Sequence, residues 1–236
     1  MYQGAVSSVV EHCLDVTRVV GSIPSPRTHM ETLRFEVPGV AEKAADVLRS
    51  GGVILYPTDT LYGLGADALS DEAVAKLYAI KGRDEKKPVH AIVADMEMVG
   101  RYAEINEPAR RLAEKFLPGP LTLILKKCAG IDTGIAKGMD TFGIRIPASE
   151  LCLEIARTFG KPYTTTSANL AGQKTGCSVE SILAQLGERA SLIDLVIDAG
   201  ELPERMPSTV VDVSSEEMKI LRKGVISSSE IYGVVV

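Results

Sequence analysis

The sequence Tyr56-Pro-Thr-Asp-Thr-Leu-Tyr-Gly-Leu-Gly65 follows a short apolar run at residues 53–56. The β-branched and aromatic side chains of that run predict a buried strand. Pro57 cannot donate to a sheet ladder, and Gly63 and Gly65 permit turns, so we interpret the stretch as a loop that begins where the strand ends. Its hydrogen-bonding side chains are Thr58, Asp59, Thr60 and Tyr62. Open α/β sheets bind ligands at such strand ends, so the loop is a candidate binding site, although an ordinary solvated turn has the same composition.

Length and composition restrict the class of protein. The chain has 236 residues, of which 45% are hydrophobic and 24% are charged, as expected for one sizeable globular domain. The net charge of −5 argues against a wholly basic nucleic-acid binder but is compatible with a local basic cleft. No apolar run approaches the roughly 20 residues of a membrane span, so we expect no membrane partner. The cysteines are scattered without a CxxC pair, which predicts free thiols, no metal site and a cytoplasmic location.

The first 29 residues differ from the rest of the chain. They show no sustained apolar period, and Gly21-Ser-Ile-Pro-Ser-Pro26 breaks any helix. They also lack the basic start and apolar core of a secretion signal. We therefore expect residues 1–29 to be a disordered extension or a mis-assigned start, with Met30 as the natural first residue and the domain at residues 30–236.

From residue 31 onward, predicted strands and helices alternate, which indicates an α/β sheet. The predicted strands lie at residues 33–37, 53–56, 89–93, 121–125, 141–147, 195–198, 208–213 and 218–222, with a further β-branched strand that runs into Ser167. The predicted helices begin after Pro38, Ser70, Glu107, Ser149 and Ser178.

A lysine on an apolar helix face is the first indication of a charged ligand. In the helix predicted at residues 71–81, Lys81 falls on the same face as the apolar residues at 74, 77 and 78. A lysine in that place must extend to solvent or meet an anion. Arg83, Lys86 and Lys87 follow immediately after Gly82. The alternative is a helix C-terminus that collects cations to complement its dipole.

A second polar cluster follows the strand that runs into Ser167. It contains Ser167, Asn169, Thr175 and Ser178, and Ser178 starts another helix. Hydroxyls and free N–H groups at a helix start suit phosphate oxygens, although a simple capped loop has the same residues. Together with Arg222 at another strand end, these groups indicate a small anion such as a nucleoside triphosphate. The chain contains neither GxxxxGK[ST] nor GxGxxG, so it matches neither the P-loop nor the Rossmann motif.

Several motifs occur in order along the chain: Tyr56-Pro-Thr-Asp-Thr-Leu-Tyr-Gly-Leu-Gly65, Lys81-Gly-Arg83 with Lys87-Pro88, Pro118-Gly-Pro-Leu-Thr122, Ile144-Arg-Ile-Pro147, Ser167-Ala-Asn169 and Ser208-Thr-Val-Val-Asp212. Together they resemble the YrdC-like threonylcarbamoyl-adenylate synthases over about residues 33–223. The resemblance implies a single domain with a twisted, open, mixed α/β sheet, flanking helices and a basic concave cleft.

The resemblance also implies an activity. L-threonine, bicarbonate and ATP would give threonylcarbamoyl-AMP and pyrophosphate, with Mg²⁺ bridging the triphosphate. The product would feed the N6-threonylcarbamoyladenosine modification of tRNA. The implied partners are therefore a threonylcarbamoyl-transferase, which receives the intermediate, and tRNA itself.

The family's site residues map onto this sequence by motif. The resemblance implies a polar catalytic tetrad of Lys81, Arg83, Ser167 and Asn169. It implies that ATP is bound by Arg83, Lys87, Thr141, Ser167, Thr175 and Arg222. It implies that threonine is bound by Thr60, Arg145, Thr165 and Ser208, with Arg145 forking the carboxylate.

Two departures from the family pattern concern these sites. Asp84 replaces a proline that often follows the Lys-x-Arg motif and puts a negative charge beside the expected ATP site. The histidine expected near threonine falls by spacing on Ile92, whereas His90 lies two residues earlier. No base for the threonine ammonium can be named from the motifs.

Two rival functions are compatible with the residues. One is a non-catalytic module that binds structured RNA in the same basic cleft, with steep salt dependence and no pyrophosphate release. The other is a carbamoyl-transfer domain related to hydrogenase-maturation factors. Such domains sit in much longer chains, so we expect the free synthase.

Overall fold

Short strands form where the sequence has apolar or β-branched runs. The computed structural model describes residues 30–82 and 89–235. The strands in these residues are β1 (Glu31–Arg34), β2 (Ile54–Pro57), β3 (Tyr62–Gly65), β4 (His90–Ile92), β5 (Leu121–Lys126), β6 (Thr141–Arg145), β7 (Tyr163–Ser167), β8 (Leu195–Asp198), β9 (Thr209–Asp212) and β10 (Lys219–Arg222).

The strands form one open mixed sheet in the spatial order β1-β8-β2-β3-β7-β4-β6-β5-β9-β10. Four neighbouring pairs are parallel: β1 with β8, β8 with β2, β4 with β6 and β5 with β9. The remaining neighbours are antiparallel. In the edge pair β9–β10 the register shifts at Leu221, as in a β-bulge, so that Arg222 lies opposite Val210.

Helices cover the sheet and close two apolar cores. They are α1 (Val40–Arg49), α2 (Asp71–Lys81), α3 (Met96–Gly100), α4 (Glu107–Phe116), α5 (Glu150–Phe159), α6 (Val179–Leu186) and α7 (Ser228–Val235). The larger core joins strands to α1, α3, α4 and α5, and the smaller one lies between β2, β3 and β8 and helices α2 and α6. The predicted single-domain α/β class with an open mixed sheet is confirmed.

The stretch after residue 56 is not a loop throughout, contrary to our prediction. Residues 58–61 form a tight turn, and Gly63 and Gly65 belong to β3, which pairs antiparallel with β2. A Cβ atom at Gly65 would lie 2.9 Å from side-chain atoms of both Ile54 and Tyr56. These glycines are therefore needed for close packing of the hairpin, and neither has a positive φ.

Other local predictions have mixed outcomes. Ser70 caps α2 and Ser178 caps α6 through their side chains, as predicted, whereas Ser149 occupies the N-cap of α5 without a side-chain hydrogen bond. The first strand is shifted to residues 31–34 and is mostly exposed, because parallel pairing with β8 at the sheet edge sets its position. The predicted free thiols are confirmed for Cys128, Cys152 and Cys177.

The expected extension at residues 1–29 lies outside the described residues. In the part of the chain that is described, no helix has both the length and the apolar character of a bilayer-spanning segment.

Candidate active site

A cavity of about 150 Å³ opens beside the β2–β3 turn. Its walls come from distant parts of the sequence: the turn, β4, β6, β7 and the strand end before β9, with β10 opposite. Among the residues that the sequence predicts for the site, those that line the cavity are Thr60, Arg145, Thr165, Ser167, Ser208 and Arg222. The structure therefore brings together all of the predicted threonine residues and part of the predicted ATP set.

The turn is fixed by its own hydroxyl groups. Thr58 Oγ1 accepts hydrogen bonds from the N–H groups of Thr60 and Leu61, both at 3.1 Å, and donates to the Leu61 carbonyl oxygen at 2.7 Å. Side chains that satisfy turn backbone in this way make a short loop rigid. Thr60 is therefore held at the cavity wall, where it is only 5% exposed.

Arg145, at the end of β6, is a buried cation whose guanidinium is held from one side. Its Nη2 donates to Asp59 Oδ1 at 2.5 Å and its Nη1 donates to Thr60 Oγ1 at 3.1 Å. The other carboxylate oxygen of Asp59 accepts from the Ala148 N–H at 3.1 Å. The Nε atom of Arg145 is buried and has no hydrogen-bond partner within residues 30–82 and 89–235. Asp59 thus neutralises and orients Arg145 while part of the guanidinium's donor capacity stays unused.

Arg222 enters the cavity from β10, beyond the register shift at Leu221. Its Nε donates to the Ser208 carbonyl oxygen at 3.1 Å and its Nη2 donates to Ser208 Oγ at 2.9 Å. Ser208 Oγ also lies 2.9 Å from Thr122 Oγ1. Although much of the Arg222 residue is exposed, burial of its head group, and then repulsion by Arg145, lowers its pKa. Two arginine charges therefore face one space, which favours an anion there.

Lys81 is the member of the predicted tetrad that lies in α2. It is buried, as its position on the apolar face requires, but it does not line the cavity. Its ammonium donates to the carbonyl oxygens of Ser167 at 2.5 Å and Asn169 at 3.0 Å, and to Asn169 Oδ1 at 3.3 Å. Among the contacts described, Lys81 therefore holds the turn that follows β7.

Asn169 is the centre of that turn. Its Oδ1 accepts from Ser167 Oγ at 2.5 Å and from Thr175 Oγ1 at 3.4 Å, and its amide donates to the carbonyl oxygens of Leu170 and Gln173. The predicted Thr175 is thus connected to Ser167 through Asn169, outside the cavity. Only Ser167 of this group reaches the cavity wall.

The rest of the predicted ATP set lies elsewhere. Thr141 lines a second, neighbouring cavity of about 250 Å³, together with His90, Leu221 and Asp212. Arg83 and Lys87, and the departure at Asp84, lie outside the described residues.

Three residues at the site received no specific role there from the sequence. Thr122 lines the cavity and Asp59 orients Arg145. Both residues lie inside the family motifs of this sequence, and that position in a motif could have identified them. His90 lines both cavities, whereas Ile92 is fully buried in the larger core. The pairing of β4 with β7 on one side, which places His90 opposite Thr165, and with β6 on the other brings that histidine to the cavity.

Comparison with known proteins identifies a family and several relatives to which this chain is similar. The family model Sua5/YciO/YrdC, described as telomere recombination, matches residues 46–224. The chain is 40% identical over 177 residues to a Methanocaldococcus jannaschii protein, covering 75% of this chain and 82% of that one. It is 35% identical to the Pyrococcus abyssi protein named threonylcarbamoyl-AMP synthase, covering 81% of this chain and 56% of that one.

A solved structure has the same fold. The P. abyssi Sua5 structure complexed with L-threonine superposes with a TM-score of 0.79 at 33% identity, over 88% of this chain and 61% of that one. The chain thus spans little more than half of the P. abyssi protein. Because the family model covers most of the chain and the solved relative shares its architecture, the protein belongs to the Sua5/YciO/YrdC family.

Proposed function

We propose that this protein joins L-threonine, bicarbonate and ATP to form threonylcarbamoyl-AMP with release of pyrophosphate. The observation that carries the proposal is the pair of arginines, Arg145 and Arg222, that face one hydroxyl-lined cavity. The relatives named threonylcarbamoyl-AMP synthase, and the threonine complex of one of them, support the same activity.

Arg145 is the group best suited to the amino-acid carboxylate. Its guanidinium is anchored by Asp59 and Thr60, and its buried Nε has no partner among the described residues. An arginine fixed in this way recognises a planar carboxylate by paired hydrogen bonds. The hydroxyl groups of Thr60, Thr165 and Ser208 line the same cavity and can bond the remaining polar groups of threonine.

Arg222 and Ser167 both line the cavity, and the phosphates of ATP would lie against them. We propose that Arg222 compensates phosphate charge and that Lys81 acts indirectly, by fixing the turn that carries Ser167. Mg²⁺ would accompany the triphosphate, because this ion is usually held by substrate phosphates with only one or two carboxylates. In the described residues, no group of three or more His, Cys, Asp or Glu side chains is placed to hold a metal ion.

The chemistry that follows is an attack of one anion on another. The neutral amine of threonine attacks the carbon of bicarbonate, and the bicarbonate hydroxyl leaves as water with one N–H proton to give a carbamate. A carbamate oxygen then bonds to the α-phosphorus of ATP and displaces pyrophosphate. Like charges repel along this path, so alignment and fixed cations supply most of the rate enhancement. The product would pass in the cytoplasm to a threonylcarbamoyl-transferase that modifies tRNA.

The test is to detect the product directly. Purified protein with L-threonine, bicarbonate and ATP is expected to give a species with the mass of threonylcarbamoyl-AMP and an equal amount of pyrophosphate, and omission of any one substrate should abolish both. Intact ATP in the complete mixture would refute the proposal. Salt-sensitive binding of structured RNA without pyrophosphate release would instead favour the RNA-binding function.

A further inference from the structure

We propose that His90 is the general base that accepts a proton from the ammonium group of the bound amino acid. The inference rests on the proposed function, which needs a neutral threonine nitrogen as nucleophile. It concerns a residue that lies outside the quoted motifs.

The strand register places His90 beside the carboxylate receptor. His90 on β4 lies opposite Thr165 on β7, and its imidazole packs against Gly143 on β6. Gly143 is two residues before Arg145, so the two positions share a face of the sheet and their Cα atoms are about 7 Å apart. The ammonium of an α-amino acid is next to its carboxylate. A carboxylate bound at Arg145 therefore keeps the ammonium within this part of the cavity.

Gly143 leaves space for the imidazole of His90. A Cβ atom at residue 143 would lie 2.6 Å from His90 Nδ1, closer than any real contact. The glycine needs no special backbone angle here, since its φ is not positive. We infer that the absence of a side chain at residue 143 creates the space for the imidazole between the two cavities.

The other ionisable groups that line the main cavity, among the described residues, are unsuited to the task. Arg145 and Arg222 are cations. The Tyr62 hydroxyl donates to the Gly200 carbonyl oxygen at 2.8 Å, and burial raises its pKa. Asp59 does not line this cavity, and its carboxylate has one oxygen on Arg145 and the other on the Ala148 N–H. An imidazole is the one remaining group here that accepts protons near neutral pH.

The proton transfer precedes formation of the carbon–nitrogen bond. A lone pair of the imidazole takes one proton from the ammonium, which leaves a neutral amine and an imidazolium. The amine nitrogen then forms a bond to the carbon of bicarbonate, and one N–H proton leaves with the hydroxide as water to give the carbamate. The imidazolium returns its proton to solvent.

The test compares His90→Asn with the unchanged protein across pH. The charged groups that face His90 in the described residues are Arg145 and Arg222 from β6 and β10 and Asp212 from β9. We expect kcat to fall by roughly 10²- to 10⁴-fold, the scale of losing a general base, and the acid limb of the pH profile to disappear. The Kd for L-threonine should change less than about threefold, because its carboxylate receptor stays intact, and added imidazole should restore part of the rate.

Two further measurements keep the proposal open to refutation. Gly143→Ala should cause a similar loss of kcat by displacing the imidazole, whereas His29→Asn should leave kcat and its pH profile unchanged. Unaltered kcat and an unaltered acid limb in His90→Asn would overturn the proposal. If the unchanged protein makes no threonylcarbamoyl-AMP, an NMR titration with L-threonine tests the position of His90 independently of turnover. L-threonine should shift the His90 imidazole resonance. A resonance that stays unshifted at saturating threonine would also overturn the proposed role of His90.

Discussion

At the scale of single residues, the site depends on cations whose positions are fixed by oxygen atoms. Arg145 is held by a carboxylate and a hydroxyl, Arg222 by both oxygens of Ser208, and Lys81 by two carbonyl groups. Fixed charges of this kind cost little reorganisation when a ligand arrives. Each of the three cations therefore makes a different contribution to the site.

Arg145→Lys should mainly raise the KM for L-threonine, by about tenfold or more, with a smaller effect on kcat. A lysine ammonium cannot contact Asp59 and Thr60 and still present a planar fork to a carboxylate. Steady-state kinetics with threonine as the varied substrate measures the effect. Arg101→Lys, in an exposed ion pair with Glu97, is the matched control and should behave as the unchanged protein. An unchanged KM in Arg145→Lys would exclude the carboxylate role.

Lys81→Met should lower both stability and turnover. The methionine keeps the apolar stem but leaves the buried carbonyl oxygens of Ser167 and Asn169 without this donor, at a cost of roughly 1–3 kcal/mol in the free energy of unfolding. Turnover should fall because the turn that carries Ser167 loses its anchor. Urea unfolding and pyrophosphate release measure the two effects on one sample. Lys43→Met, in an exposed pair with Glu31, is the control, and equal stability of the two variants would count against the anchoring role.

The sequence allowed Lys81 to be predicted as buried but not as an anchor. The helical period of α2 determined the face on which Lys81 lies. The carbonyl groups to which its ammonium donates lie more than eighty residues further along the chain, and a local sequence pattern contains no information about such a contact. Arg145 shows the same limit. Its strand was predictable, but its contact with Asp59 depends on the β2–β3 turn reaching the end of β6, although β3, β7 and β4 lie between β2 and β6 in the sheet.

At the scale of elements, helix ends connect parts of the fold that the sheet does not join. Asp71, in the first turn of α2, accepts from the Gly134 N–H at 2.7 Å and pairs with Lys137. Lys137, and then the Gly134 N–H, lowers the pKa of Asp71 below its ordinary 3.8. The short 3₁₀ turn Gly134–Ala136 is thereby tied to the start of α2.

This link gives a prediction of pH dependence. A carboxyl whose pKa is lowered by folding contributes stability above its unfolded pKa and loses it as pH falls through the folded value. Asp71→Asn should therefore lower the melting temperature at pH 7, and the difference from the unchanged protein should shrink as pH falls below about 4. Melting curves between pH 3 and 7 measure this. A difference that stays constant over that range would show that the charge of Asp71 has no part in the link.

The hairpin at residues 54–65 shows why an element can be predicted in outline and missed in detail. Proline and glycine composition indicated a loop, and the turn is there. However, the glycines serve packing against Tyr56 and Ile54, which depends on cross-strand neighbours and not on local sequence. Tertiary contact overrode the local preference of glycine for turns.

At the scale of the whole molecule, the described residues from 30 onward contain a ten-stranded sheet and two apolar cores. We propose that residues 30–236 form the functional domain by themselves. Deletion of residues 1–29 should leave the melting temperature and turnover unchanged, since the sequence of that segment shows no sustained apolar period that could pack on the core. Calorimetry and the pyrophosphate assay on the shortened chain measure this. A fall of several degrees in melting temperature would contradict the proposal.

The cavity walls come from widely separated parts of the chain, and this has a consequence for biosynthesis. Arg145 and the β2–β3 turn are made before Ser208 and Arg222. A nascent polypeptide in which Ser208 and Arg222 have not yet been made therefore has one arginine of the cavity without the other. In such a chain the cavity lacks one wall until β9 and β10 pair with the rest of the sheet.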